Sequence, residues 1–171
     1  MLNDKQIEEI LKEGDAKAFY DLSVEDMEDM VSELMYESYY KKEYQSLNEE
    51  QKTVLLTMAL DDYFMADGLN TLLEDEEMVG HIADLSEALL YIGAGKSAME
   101  IRKLNELLKK KKGKENDLMT IHEWLEENPG KKDEIYKINA KLEEHPDGRM
   151  LDLVYKFIRS DKEIAKKLLM I

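Results

Sequence analysis

The chain has 171 residues, 43% of them hydrophobic, with a formal net charge of -15 at pH 7 and no cysteine. This length and composition predict a folded core, and the lack of cysteine excludes disulfides and thiolate metal sites and fits a reducing compartment. The first residues lack the basic flank and apolar stretch of a signal peptide, and no apolar run reaches the ~20 residues that span a bilayer, so we expect a cytoplasmic protein with no membrane partner.

Most of the negative charge lies in the first half of the chain. Residues 1–80 hold 22 acidic and 6 basic residues, whereas residues 81–171 hold 17 acidic and 18 basic residues. A field as asymmetric as this repels nucleic acid and acidic membranes and attracts basic partners. The alternative interpretation is that the charge only keeps the protein in solution.

The first two predicted helices have clear start signals. Asn3 with Gln6 predicts a capped helix over residues 4–13, and Gly14 ends it. Ser23 opens a second helix, in which apolar residues recur at helical spacing and form one stripe. The stripe consists of Met27, Met30, Val31, Leu34 and Met35.

The remaining surface of this second helix is acidic. No basic residue lies between Asp21 and Glu37, so like charges three or four residues apart repel each other by a few tenths of a kcal/mol per pair. The pattern is consistent with an ordinary solvated face, and equally with a face whose function is to be negative. The acids concerned are Glu25, Asp26, Glu28, Asp29, Glu33 and Glu37.

A tyrosine cluster follows the acidic helix. Its members are Tyr36, Tyr39, Tyr40 and Tyr44, close to Lys41 and Lys42. One interpretation is that the rings pack at the rim of the core with their hydroxyl groups outward. The alternative is a partner or dimer surface, where tyrosine is enriched. Stacking on nucleic acid is not expected beside so many acids.

The middle of the chain predicts three more helices. The first runs over residues 49–66, with either Asn48 and Gln51 or Ser46 and Glu49 as its cap and an apolar stripe that extends to Asp62 and Met65, and Asp67-Gly68 ends it. The second starts at Thr71 with Glu74 as its capping partner, and an acidic run follows it. The third covers residues 81–92, before the glycines at 93 and 95.

The last third also predicts helices only. Ser97 with Glu100, Thr120 with Glu123, and Ser160 with Glu163 are capping-box pairs. Further helices are predicted over residues 133–144 and 150–158, and no segment alternates like a strand. The expected fold is therefore all-α, a single-domain bundle of about eight to nine helices over residues 1–171, with a mobile connection at residues 109–117.

Sequence motifs for catalysis or cofactors are incomplete. Gly95-Lys96-Ser97 resembles the end of a phosphate-binding loop, but the required glycine is absent at residue 90 and no strand precedes it. The three histidines lack metal-site spacing, and the acidic run at 74–77 lacks the pattern of a calcium loop. We expect no cofactor and no metal site. An enzyme or small-ligand site would require Asp61, His81 or Asp84 to converge in a pocket.

Residues 45–108 carry a pattern of turns and apolar pairs. The turn Ala66-Asp67-Gly68-Leu69 precedes the apolar pair Leu72-Leu73, an acidic gap over residues 74–80, and a helix that ends in Ile92-Gly93-Ala94. On these residues the stretch resembles the DNA-mimic protein family of bacterial helical domains, and residues 151–158 are similar to its closing helix. Asp67 and Leu69 depart from the glycine and the aromatic residue of the family's turn.

The resemblance implies an all-helical, dimeric protein. In the characterised member of the family, surface carboxylates replace DNA phosphates and occupy the DNA-binding face of a transcription factor.

Three functions are consistent with the sequence. The first is a non-enzymatic acidic protein that binds a basic, DNA-binding protein and no nucleic acid directly. The second is an immunity- or antitoxin-type protein that neutralises a basic toxin, and the third is the enzyme or small-ligand domain considered above. For the first, the expected binding acids are those of the second helix together with Glu74, Asp75, Glu76 and Glu77.

Overall fold

The structure is a computed structural model that describes residues 2–111 and 119–170, apart from the side chains of residues 37 and 38. All regular structure in this part is helical. It comprises twelve α-helices, nine of them with seven or more residues, one π-helical turn and one 3-10 turn. The all-α prediction is confirmed. None of these described helices has the length and apolar character needed to cross a membrane. The predicted mobile connection at 109–117 lies largely outside the described residues.

The chain divides into two compact units, and the first comprises residues 1–56 and 149–171. In this unit α12 (Lys162–Leu168) packs against α2 (Ala16–Tyr20) and α11 (Met150–Ser160), and α11 packs against α3 (Val24–Glu33). The prediction of a single domain stays a prediction. The elements of the first unit are α1 (Asp4–Glu13), α2 (Ala16–Tyr20), α3 (Val24–Glu33), the π-helical turn Leu34–Tyr39, the 3-10 turn Tyr44–Ser46, the beginning of α4 (Glu49–Ala66), α11 (Met150–Ser160) and α12 (Lys162–Leu168).

The second unit comprises residues 57–148. Helices α7 (Ile82–Tyr91) and α8 (Gly95–Lys109) form its largest contact, and α10 (Pro129–Glu143) packs on α8 and α9 (Ile121–Glu127). Leu85, Leu89, Ile101 and Leu104 are fully buried in this unit. Its elements are the end of α4, α5 (Leu69–Glu74), α6 (Glu76–Gly80), α7 (Ile82–Tyr91), α8 (Gly95–Lys109), α9 (Ile121–Glu127) and α10 (Pro129–Glu143).

Several helix starts agree with the prediction because their caps are local. The side chains and backbones of Asn3 and Gln6 form both bonds of a capping box, and Gly14 ends α1 with φ 62°. Thr120 and Glu123 form the same box at α9, and the Ser23 side chain accepts from the N–H of Asp26 at α3. A cap whose two residues are three positions apart can be recognised in the sequence.

Two predicted helix starts are wrong because a neighbouring residue is better suited to begin or cap the helix. Helix α10 begins at Pro129 rather than at residue 133, since proline fits the first position of a helix, where its missing N–H costs nothing. Helix α12 is capped by Asp161, whose side chain accepts from the N–H of Glu163 at 2.9 Å. Ser160, the predicted cap, ends α11 and donates to the carbonyl of Phe157 at 2.6 Å.

Two other predicted starts are wrong because a distant residue supplies the cap. Helix α5 begins at Leu69, not Thr71, and the Leu69 N–H donates to Oδ1 of Asn139 at 2.8 Å. Helix α8 begins at Gly95, so Ser97 lies inside its first turn. The Asp147 carboxylate accepts from the Ser97 N–H at 2.7 Å, the Ser97 hydroxyl at 2.8 Å and the Lys96 N–H at 3.1 Å.

Replacing Asp147 with asparagine is expected to lower the free energy of unfolding by about 1–2 kcal/mol near pH 7. An amide has one oxygen where the carboxylate has two, so a Ser97 or Lys96 donor loses its acceptor. Burial alone would raise the pKa of Asp147, but the hydrogen bonds from Ser97 and Lys96 outweigh it and hold that pKa below its usual value.

The same lowered pKa predicts a pH dependence. The stabilisation is fully present above the unfolded-state pKa of about 4 and is lost as the pH falls through the folded-state pKa. Urea titrations should therefore show that the difference in the free energy of unfolding between the wild-type protein and the asparagine variant is smaller near pH 3 than near pH 7. Asp29→Asn, at an exposed site on α3, is the control and should cost less than about 0.5 kcal/mol. A difference that is the same near pH 3 and near pH 7 contradicts the role of the carboxylate.

Helix α4 differs from its predicted apolar stripe. Residues 53–60 are buried on every face of the helix, including Thr53 and Thr57. Met65, predicted to face inward, is 83% exposed, and Asp62 is exposed as well. Helical spacing identifies a face that can be buried, but it does not show how far along the helix the burial extends.

The end of α12 is held by side chains from earlier in the chain. The buried Tyr39 donates from its hydroxyl to the carbonyl of Leu168 at 2.8 Å, and burial raises its pKa, so the donor stays protonated. Asn48 donates to the carbonyl of Lys167 at 2.9 Å, and Gln51 to that of Met170 at 2.9 Å. These donors satisfy carbonyl groups that have no partner within the helix.

Candidate functional site

Helix α3 has one buried face and one acidic face. Met27, Met30 and Val31 are fully buried, and this burial fixes the rotation of the helix about its axis. The opposite face carries Glu25, Glu28, Asp29 and Glu33, of which the first three are exposed and the last is half-buried. We call these four residues the α3 acidic face.

The carboxylates of the α3 acidic face make no hydrogen bond and no ion pair in the described part of the chain. Several acids on other helices do have partners. Glu87 lies 2.8 Å from Arg102, Glu106 lies 2.5 Å from Lys109, and Glu134 lies 2.9 Å from Lys131. The repulsion within the α3 acidic face is therefore not offset by bases of the described residues, and the face retains its full negative charge.

Two other predicted acids near α3 differ from these four. Asp26 has a structural role: its carboxylate accepts from the Ser23 hydroxyl at 2.8 Å and from the Leu2 N–H, and the bond from Ser23 does most to lower the pKa of Asp26. The side chain of Glu37 lies outside the described part of the structure. We therefore keep Asp26 and Glu37 out of the α3 acidic face.

The tyrosine cluster is split between core and surface. Tyr39 is 1% exposed, whereas Tyr36 is 61% and Tyr40 52% exposed, and the ring centroids of these last two lie 5.6 Å apart. Tyr44 is half-buried, with the Lys52 ammonium 5.3 Å from its ring centroid. Tyr39 thus belongs to the core, with its hydroxyl bonded inside the protein rather than facing outward, and a partner surface at the exposed tyrosines stays a prediction.

The second acidic segment, residues 74–77, belongs to the other unit. Glu74, Glu76 and Glu77 are exposed. Asp75 instead caps α6 by accepting from the Met78 N–H at 3.0 Å, and it also accepts from the Tyr63 hydroxyl. Burial opposes ionisation of Asp75, but these bonds prevail and lower its pKa.

Glu74 has a basic neighbour in the same unit. One of its carboxylate oxygens lies 3.8 Å from Nε2 of His122, a distance too long for a hydrogen bond. Three exposed acids, one of them beside a histidine, make this segment a weaker anionic surface than the α3 acidic face. We treat the two segments as separate surfaces, since they lie in different units.

The predicted turn at Asp67, Gly68 and Leu69 has a structural role. Gly68 has φ 58° and ψ -135°, and a Cβ atom added there would lie 2.4 Å from Oδ1 of Asn139. Leu69 is fully buried, and the Asp67 carboxylate accepts from the side chain of Asn70 at 3.1 Å. The turn thus joins α4 to α5 and brings the backbone close to α10.

One groove of the second unit contains none of the residues proposed for an enzyme site. His81 and Asp84 lie 3.5 Å apart in the first turn of α7. A groove of about 500 Å³ in the same unit is lined by Val79, Ala83, Leu108 and their neighbours, and by none of Asp61, His81 or Asp84. Within the described residues, no three histidine or acidic side chains are grouped to hold a metal ion.

Comparison with known families identifies the group to which the chain belongs. The family described as DMP19-like protein matches residues 45–161. The chain belongs to the DMP19-like family. No curated protein and no solved structure matches it. The DMP19-like match covers the turn at 67–69 and the acids at 74–77 and begins after α3, so the α3 acidic face lies outside it.

Proposed function

We propose that this DMP19-like chain is a non-enzymatic binding protein that occupies the nucleic-acid-binding face of a basic, DNA-binding protein. The α3 acidic face carries the proposal, because its four carboxylates are outward and have no basic partner among the described residues. The family supports it as well, since its name derives from DNA mimic protein 19. The homodimer implied by the resemblance stays a prediction.

The spacing of the charges suits this role. Glu25 and Glu33 are eight residues apart, which is about 12 Å along an α-helix. Four carboxylates over that length give roughly one charge per 4 Å, close to the ~3.4 Å per charge of one DNA strand. Lysine and arginine side chains that bind phosphates would donate charge-assisted hydrogen bonds to these carboxylates in the same way.

Neutralising the α3 acidic face is expected to abolish partner capture. We would immobilise the protein and its variant Glu25→Gln, Glu28→Gln, Asp29→Asn, Glu33→Gln, and load the proteins that a duplex-DNA column retains from the source cells. The variant should retain at least about tenfold less protein, because each lost carboxylate weakens the attraction to a basic surface. Free duplex DNA should elute the captured proteins from the wild type at constant ionic strength.

A matched control variant removes the same number of negative charges from other parts of the chain. Glu87, Glu106, Glu134 and Glu144 each lie within 4.0 Å of a lysine or arginine, so replacing all four with glutamine should leave capture nearly unchanged. If this control loses as much capture as the α3 variant, only total charge matters. If duplex DNA fails to elute the captured proteins, the site that they use is not their DNA-binding face. Circular dichroism melting verifies that each variant is folded.

A further inference from the structure

An exposed aromatic pair lies directly beyond the α3 acidic face. Tyr36 and Tyr40 are 61% and 52% exposed, and their rings are tilted by 40° with centroids 5.6 Å apart. Tyrosine is enriched at protein interfaces and at their energetic centres. The exposed pair is therefore a candidate contact surface.

A π-helical turn lies at the exposed pair. The Tyr40 N–H donates to the carbonyl of Met35 at 2.9 Å, a bond between residues five apart, which widens the turn. Tyr39 then points inward, and its hydroxyl bond to Leu168 holds it there. Single π-helical turns within α-helices occur frequently at functional sites.

The aromatic pair is continuous with the anionic surface. Tyr36 is three residues beyond Glu33, so its ring lies on the side of the helix that carries the α3 acidic face. Glu37 lies between the two tyrosines in the chain, and Lys41 and Lys42 follow them. A cation attracted by the carboxylates thus meets an aromatic surface at the end of the acidic row.

We propose that Tyr36 and Tyr40 stack an arginine side chain of the basic partner, so that this surface selects arginine-rich over lysine-rich segments. The inference rests on the proposed function, since it names the residue type that the α3 acidic face recruits. A guanidinium group is planar and weakly hydrated, so it stacks on aromatic rings and also binds carboxylates in a bidentate way. An ammonium group is a compact, strongly hydrated charge and gains less from the rings.

The chain itself contains a contact of the proposed kind. In the first unit, Cζ of Arg159 lies 4.8 Å from the ring centroid of Tyr20 and 5.8 Å from that of Tyr155. One guanidinium group is therefore placed within reach of two tyrosine rings. The exposed pair at Tyr36 and Tyr40 offers an incoming arginine the same two-ring environment.

The test compares two peptides of equal length and charge, fluorescein-labelled nona-arginine and nona-lysine, binding to the full chain. Fluorescence anisotropy near physiological salt should show nona-arginine binding at least about fivefold more tightly. Replacing both tyrosines with leucine (Tyr36→Leu, Tyr40→Leu) should bring this ratio below about two with little change for nona-lysine. Replacing both with phenylalanine should keep the ratio, because the rings remain.

Each outcome bears on the inference. The control variant Tyr91→Leu, Tyr136→Leu removes two tyrosines of similar exposure, 53% and 52%, and should leave the ratio unchanged. A ratio that stays high in the Tyr36, Tyr40 leucine variant overturns the inference, because the carboxylates alone then prefer arginine. Equal affinity of the wild type for both peptides also overturns it, while leaving the proposed function in place. If neither peptide binds the wild type, both the inference and the proposed function are contradicted.

Discussion

Replacing Gly68 with alanine is expected to destabilise the second unit by roughly 3–5 kcal/mol. Two separate costs arise at this residue. The backbone has φ 58° and ψ -135°, a conformation that residues with a Cβ atom rarely adopt. The new methyl group would also lie 2.4 Å from Oδ1 of Asn139. That oxygen cannot simply move, because it accepts the Leu69 N–H at 2.8 Å, and the Asn139 amide donates to Glu143 at 2.7 Å.

Gly80 provides the matched control for this substitution. It is the last residue of α6, and a Cβ atom there meets nothing within 4 Å. Gly80→Ala should therefore be neutral or slightly stabilising, since alanine has less conformational freedom to lose on folding. Chemical denaturation followed by circular dichroism measures both variants. If Gly68→Ala unfolds at the same denaturant concentration as the wild type, the close approach between this turn and Asn139 is not part of the folded state.

Replacing Lys167 with methionine is expected to cost about 2–3 kcal/mol. Nζ of Lys167 lies 2.7 Å from Oε1 of Glu50, whose side chain is only 6% exposed. A buried carboxylate that loses this ammonium group keeps the cost of desolvation but loses the attraction that the ammonium supplied. The lysine side chain is half exposed, so the expected cost lies below that of a fully buried pair.

A second substitution distinguishes the lost charge pair from lost packing. In the double variant Glu50→Gln, Lys167→Met, the buried carboxylate becomes a neutral amide, so most of the stability should return. The neighbouring Lys166 serves as the control, because its bridge to Glu163 at 3.5 Å is between exposed side chains, and Lys166→Met should cost less than about 0.5 kcal/mol. A double variant that is no more stable than Lys167→Met would show that the packing of the lysine stem is what matters.

The fold illustrates how far local sequence signals reach. The helices that begin at Asp4, Val24 and Ile121 agree with prediction because the capping side chain and its partner are three residues apart. The starts of α5 and α8 could not be predicted, because Asn139 and Asp147 cap them from 70 and 50 residues away. Nothing in the residues around Thr71 or Ser97 indicates that such a partner exists.

The candidate site shows the same division. The run of acids on α3 and the apolar stripe on its other face could be predicted, because both depend on residues that are three and four positions apart. The sequence did not indicate that Asp26 would also accept from the Leu2 N–H, that Asp75 would accept from the Tyr63 hydroxyl, or that Tyr39 would turn inward between two exposed tyrosines. A π-helical turn disrupts the period from which an inward or outward face is predicted.

By itself, the sequence determined that the chain is all-helical, that its first half is acidic and that α3 has a negative face, because these properties depend on composition and on neighbours within one helical turn. The tertiary structure decided which acids are paired and which are not, which tyrosines are exposed, and which distant side chains begin α5 and α8. Those properties depend on what packs against each residue, and a linear pattern of side chains contains no information on distance in space.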